Sequence, residues 1–228
     1  MFQKFIHIHT DLHEKCPNLQ LAYIYCKVQI EPKNEELWQA INETATHIKN
    51  TVLTASDIGK LPNIAESRAA YKRLGKEPSR YRLSAEALMR RAVKGKAIYQ
   101  INNVVDTVNL VSLQSGYSIG GYNANKIVGD TVFGVGKHAE PYEAIGKGSL
   151  NIEFLPVFRD EIGAFGSPTS DSVRTMIGED TEHLLMLIID FGGKKDFLEA
   201  TQKQAIELLK KYANADDFES AMVSLHCS

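Results

Sequence analysis

Residues 116–150 set glycines among Val, Ile, Phe and Tyr (GYSIGGYNANKIVGDTVFGVGKHAEPYEAIGKGSL). That interleaving is the pattern of short twisted strands joined by tight turns. Helical patterns stand on both sides of it. ELWQAINETATHIKN, 36–50, spaces Leu37, Ile41, Ala45 and Ile48 along one face, with Asn34 placed to cap it and Glu35 and Glu36 favouring the first turn. ESRAAYKRLG, 66–75, reads as a short helix ended by Gly75, and Pro78 blocks its continuation. LSAEALMRRAVKG, 83–95, reads as an amphipathic helix capped by Ser84 and closed by Gly95, with Leu88, Met89 and Ala92 inward. The strongest helix is 194–213, where Phe197, Ala200, Ala205, Leu208, Leu209 and Tyr212 share a face.

Strand patterns fill much of the rest. Residues 2–9 alternate through Phe2, Phe5-Ile6 and Ile8, and LQLAYIYCKVQI, 19–30, reads as a strand. VFRDEIGAFGSP, 157–168, reads as a strand and hairpin, and the run HLLMLIIDF as a buried strand. INNVVDTVNLVSLQSG fits a buried strand or a short helix after a strand; the apolar run does not decide. The tail 214–228 carries only a weak pattern. A strand-rich middle flanked by helices predicts an α+β fold, layered β-sheets with flanking helices in one domain. Residues 1–60 read as a strand and helix segment of that domain.

A chain of 228 residues with 43% hydrophobic content buries a sizeable core. MFQKFIHIHTDLHEKC has no continuous apolar stretch of the secretory type, and no segment approaches the roughly 20 apolar residues of a membrane span. Cys16, Cys26 and Cys227 fit reduced thiols better than a disulfide framework. The expectation is a cytoplasmic protein without a membrane partner.

Charge is unevenly spread. From Arg68 to Lys96 the segment carries +8 in a chain whose total is −2. The cations are Arg68, Lys72, Arg73, Lys76, Arg80, Arg82, Arg90, Arg91, Lys94 and Lys96, and the acids are Glu77 and Glu86. Such a local excess points to a polyanion, with RNA the first candidate, and Tyr71 and Tyr81 are placed to stack on bases. A solvated helical face gives the same composition.

Four words in order then resemble one family. They are RAAYKRLGKEPSRYRLSAEALMRR, NVVDTVN, GYSIGGYN and FRDEIGAFGSPTSDSVRT. Together they resemble the B3/4 editing module of the phenylalanyl-tRNA synthetase beta subunit, in its free-standing form. The resemblance implies a B3/4-type domain over 61–213 with a tail at 214–228. It also implies hydrolysis of a wrongly attached amino acid from the 3′ end of tRNA. Water attacks the ester, pocket dipoles hold the oxyanion and no protein nucleophile is needed, so no catalytic side chain is named. One position departs from the family pattern. Where the family has a histidine this chain has Gly120, with Ser118, Tyr122 and Asn123 at the neighbouring motif positions.

The resemblance implies an aminoacyl pocket from the loop at Gly116, Ser118, Gly120, Tyr122 and Asn123, facing Arg159, Asp160, Thr169, Ser170, Asp171, Ser172 and Arg174. The same residues read as turn and cap chemistry, with Asp171 and Arg174 an i,i+3 pair. The RNA side would be Arg68, Tyr71, Lys72, Arg73, Lys76, Arg80, Arg82, Arg90 and Arg91. Asn102, Asn103, Asp106 and Asn109 read as structural polar groups bonding nearby backbone. His7 and His9 would share one side of a strand, but with no Cys or carboxylate cluster beside them no metal is expected, and no cofactor. His138, His183, Cys16 and Cys26 read as surface or packing residues.

Three alternatives stand beside tRNA ester hydrolysis: a non-catalytic RNA-binding module, a binder of small amino-acid derivatives, and a partner of a synthetase. The chain carries no adenylate-forming or anticodon-reading segment, so ligase activity is not expected of it alone. A homo-oligomer is left open.

Overall fold

The computed structural model describes residues 5–52 and 54–224. The expectations that fall on Phe2 and Cys227 lie outside them. In chain order the elements are β1 (Ile6–Ile8), α1 (Thr10–His13), β2 (Gln20–Lys27), α2 (Glu35–Thr51), α3 (Pro62–Leu74), α4 (Ser84–Val93), α5 (Asn103–Ser115), β3 (Ser118–Asn123), β4 (Thr131–Val135), β5 (Glu143–Ala144), β6 (Gly148–Ser149), β7 (Pro156–Arg159), β8 (Ala164–Gly166), β9 (His183–Asp190), α6 (Lys195–Ala213) and β10 (Asp216–Ser224). The architecture is α+β.

One antiparallel sheet runs β10-β2-β9-β3. A second runs β1-β4-β7-β8, with β1 and β4 parallel and the other pairs antiparallel. A core of Leu21, Tyr122, Phe133, Phe158, Phe165, Leu185, Leu187 and Ile189 lies between the two sheets. The opposite face of the first sheet packs Ala22, Ile24, Leu184, Met186 and Ile188 on Val104, Val108 and Val111 of α5 and Leu198, Ala205 and Leu209 of α6. Strand β9 is therefore buried on both faces, which is why HLLMLIID shows no alternation. A third cluster joins α2, α3, α4 and α5 to Tyr142, Ile152 and Leu155.

The predicted stops and starts recur. Asn34 Oδ1 accepts from the Leu37 amide at 3.0 Å. Gly75 ends α3 at φ +93°, a conformation that suits glycine. Three expectations change and one open reading is decided. Ser84 is the first residue of α4 rather than its cap, and its amide donates to Pro168 O at 2.7 Å. Residues 103–115, left open between strand and helix, are helix: Asn102 Oδ1 caps α5 at the Val105 amide and Gly116 closes it at φ +76°. The helix is apolar on two sides because Val104, Val108 and Val111 face the sheet while Leu110 and Leu113 face the third cluster. Asp106 and Asn109, three apart, thus both lie on this helix. On α6, Leu198 and Thr201 are buried, whereas Phe197 and Ala200 are exposed. Finally, 216–224 is not a tail but β10, an edge strand on β2 with a bulge after Asp216. Its Asp and Glu residues hide the strand signal because an edge position tolerates charge. Among the described residues no helix is long and apolar enough to cross a membrane.

Candidate functional site

Strand β3 pairs with β9, and the Gly121 amide on it bonds the Asp171 carboxyl. The Tyr122 ring folds back over that strand. A Cβ built on Gly120 or on Gly166 of β8 would collide with the Tyr122 hydroxyl. Two glycines thus clear one space for one phenol. The position where the family pattern has a histidine side chain is filled here by Tyr122.

The Tyr122 hydroxyl donates to Asp171 Oδ1 at 2.8 Å. Asp171 keeps some exposed surface as a residue, but its carboxyl group is enclosed. Burial pushes that carboxyl up to about 7, against the Tyr122 hydroxyl, the Ser167 and Gly121 amides and the Lys147 charge, which all favour the anion. Burial and the Asp171 charge raise Tyr122 well above the usual tyrosine value. Lys147 is exposed along much of its length, yet its Nζ turns onto Thr169 O at 3.3 Å, and desolvation draws its pKa down. Around this pair stand further hydroxyls. Tyr142 donates to Ser170 O at 2.6 Å, Tyr71 bonds Thr169 Oγ1 at 2.9 Å, and Ser167 donates to Ser170 O at 2.9 Å. The carboxyl is thus enclosed by hydroxyls, two amides and one ammonium, and burial holds it well above the usual carboxylate range.

A cleft of about 690 Å³ shares Tyr142 with this cluster and is lined also by Lys137, His138, Ile162, Ser172 and Arg174, while Asp171, Tyr122 and Lys147 are not part of its wall. The expected rim residues are split between internal pairs. Arg174 grips Asp160 through both oxygens, at 2.8 and 3.0 Å, and so does not pair with Asp171. Burial raises the Asp160 carboxyl, but the bonds from Arg174 and from the Val128 and Gly163 amides hold it below the usual range. Arg159 pairs with Glu140 at 2.9 Å.

The remaining expected pocket residues lie elsewhere. The 116–123 stretch is a helix cap followed by a strand, not a loop. Gly116 lines a different cavity of about 400 Å³ with Asn63, Met89, Lys194 and Phe197. Ser118 is buried, with no hydrogen-bond partner for its Oγ among the described residues. Asn123 caps the short turn Ala124–Lys126 through the Asn125 amide at 3.1 Å.

The polar groups of α5 are internal. Asn103 accepts from Glu31 N and donates to Gln29 O and Tyr212 O. Asp106 accepts from Trp38 Nε1 and Ile101 N. Asn109 is half-buried on the same helix. On the N-terminal side, His9 Nδ1 caps α1 at the Asp11 amide. Among the described residues no three His, Cys, Asp or Glu side chains gather as metal ligands.

The basic segment is only partly a surface. Tyr71 is fully buried, so it does not stack on a base in this conformation. Lys76 is buried against Asn151 O and Glu153 O, with Tyr81 beneath its ammonium. Arg73 donates to Lys15 O, Arg91 to Ala97 O and Tyr99 Oη, and Arg80 lies over Tyr81. Lys72 is exposed. Arg68, Arg82 and Arg90 converge on Glu86, whose side chain is 0% exposed.

Sequence reading missed Tyr142, Lys147, Gly166 and the role of Glu86. For Glu86 there was a signal, since it is the one acid in RLSAEALMRR. Tyr142 and Lys147 carry no local signal, because the bridge between Ala144 and Ser172 and the bond from Ile145 N to Asp171 O bring them in.

The comparisons with known proteins agree with this architecture. The family model described as "B3/4 domain" matches residues 66–214. The fold resembles the crystal structure of an N-terminal fragment of the phenylalanyl-tRNA synthetase beta-subunit from Pyrococcus horikoshii, with a TM-score of 0.50 and 11% identity over 97% of this chain and 50% of that one. The chain thus spans about half the length of that fragment. No curated protein matches it. With the family model covering more than half of its residues, the chain belongs to the B3/4 domain family.

Proposed function

We propose that the chain hydrolyses the ester of a wrongly charged aminoacyl-tRNA in the cytoplasm, acting in trans. The observation that carries this reading is the enclosed Asp171 carboxyl, raised to about 7, held by Tyr122 and next in the chain to Ser172, a wall residue of a cleft in a B3/4 domain. In this reading Asp171 takes a proton from water as the water oxygen adds to the ester carbonyl. The carbonyl carbon–ribose oxygen bond then breaks, and the proton passes to the ribose oxygen. The Lys147 charge lies close enough to act on Asp171, and so favours its anionic, basic form. Selection would act against the correctly charged species, whose amino acid would leave buried polar groups of the site unpaired.

A second reading is a binding module without chemistry, either for RNA or as a partner of a synthetase. It is favoured by Tyr122 filling the space over Gly120, which leaves no room there for a second side chain.

The deciding assay charges a panel of tRNAs with correct and incorrect labelled amino acids and follows release. The hydrolase reading expects release from one mischarged species, with a rate that rises through about pH 7 and falls ~10²–10⁴-fold in Asp171→Asn. No release from any pair would leave the binding module. Release unchanged in Asp171→Asn would remove Asp171 as the base.

A further inference from the structure

Glu86 is enclosed between α3 and α4, and the arginines around it outnumber it. Arg68 Nη1 reaches Glu86 Oε2 at 2.8 Å, and Arg90 Nε reaches Oε1 at 2.8 Å. Arg82 Nε stands at 3.8 Å from Oε1. Two arginines suffice to satisfy the two oxygens and to brace the helices. The third leaves the group with a net charge of +2. No other acceptor among the described residues takes a hydrogen bond from Arg68, Arg82 or Arg90, so guanidinium N–H groups remain for an outside acceptor. The three side chains are 24, 45 and 25% exposed, which puts them at the surface while Glu86 fixes them from beneath.

The position of this group is specific. Arg82 follows Tyr81, whose carbonyl accepts from Thr169 Oγ1 at 3.4 Å. The Arg82 charge also acts on Lys147, which in turn acts on Asp171. Thr169, two residues before Asp171, thus ties the segment that carries Arg82 to the segment that carries the enclosed carboxyl.

We propose that Arg68, Arg82 and Arg90, organised by Glu86, form a seat for one phosphodiester group of an RNA strand whose 3′ end reaches the Asp171 site. The proposal rests on the RNA-substrate reading above and narrows it. Of the basic segment, these three guanidiniums hold the phosphate, while Lys76, Arg73 and Arg91 are bound to carbonyls of the protein itself. Guanidiniums fixed by a buried carboxylate lose little side-chain freedom on binding, and their planar forks suit phosphate oxygens.

The test is binding of an uncharged RNA hairpin with a single-stranded 3′ tail, followed by fluorescence anisotropy across a salt series. Arg82→Ala leaves Glu86 with both close partners and is expected to fold, which circular dichroism checks. It should weaken binding about tenfold and reduce the slope of log K against log salt by about one. Glu86→Gln raises the positive charge, so a purely electrostatic surface would bind RNA more tightly. The seat expects weaker binding, because the guanidiniums lose their anchor. Equal affinity and slope in Arg82→Ala overturns the proposal, and so does tighter binding in a folded Glu86→Gln. Should Glu86→Gln not fold, Arg82→Ala decides alone. The assay needs no hydrolysis. Arginine-dependent binding without deacylation sinks only the hydrolase reading. Deacylation with RNA binding indifferent to Arg82 sinks only the seat.

Discussion

The Tyr122 hydroxyl and the Asp171 carboxyl meet at 2.8 Å across 49 residues of chain, and the bond joins β3 to the segment after β8. Neither residue is decisive alone. The phenol is a donor, and the carboxyl is an anion only for part of its titration range.

That pair sets a pH dependence of stability. The folded Asp171 titrates near 7, against about 3.9 for an unfolded aspartate. Between those values the folded chain keeps a proton that the unfolded chain has released. Stability from this group is therefore full below about pH 4, declines as pH rises toward 7 and is flat above. Asp171→Asn keeps an oxygen to accept from Tyr122 and removes the titration. The stability of the variant relative to the parent should be more favourable at pH 8 than at pH 5 by about 1–3 kcal/mol, a range discounted for the surface the residue retains; the Asn NH2 cannot accept from the Ser167 and Gly121 amides, and that cost is the same at both pH values. Urea midpoints at both pH values measure this. Parallel pH curves for the two proteins would show that Asp171 is not the titrating group.

Gly120 is required by its neighbour two residues on. Gly120→Ala places a methyl against the Tyr122 hydroxyl, so either the ring or the strand must shift. The expected loss is about 1–3 kcal/mol. It should come with a changed pH response, since displacing the phenol takes a donor from Asp171. Thermal unfolding of Gly120→Ala that matches the parent would mean that the ring has somewhere else to go.

Asn103 ties three segments at the start of α5, bonding Glu31 N, Gln29 O and Tyr212 O from a fully buried position. Asn103→Ala leaves those backbone groups without their partner and should cost about 2–3 kcal/mol. Its effect on any hydrolytic rate should be small under conditions where the variant remains folded. A large loss of rate in a fully folded Asn103→Ala would move this residue from scaffold to site.

Local signals were legible wherever a residue acts on its own neighbours. Asn34 caps the helix it precedes, and Gly75 closes the one it follows, because caps and left-handed turns are decided within a few residues. Signals failed where burial on two sides erased periodicity. In 101–116 strand and helix remained equal until the contacts of Val108 with the sheet and Leu110 with the other helices were known. The basic segment misled in a different way. Composition counts charges, but it does not say that Glu86 takes up Arg68 and Arg90 or that Lys76 points inward.

By itself the sequence determined the α+β class, the glycine-rich strands, the buried run of β9 and the family words. These depend on local pattern and on the order of segments. Only the tertiary structure decided that Tyr122 stands over Gly120 and Gly166, that Asp171 faces Tyr122 rather than Arg174, and that 216–224 closes a sheet edge. The physical reason is register. Strand pairing between distant segments sets which side chains share a space, and the pKa of an enclosed carboxyl depends on that space.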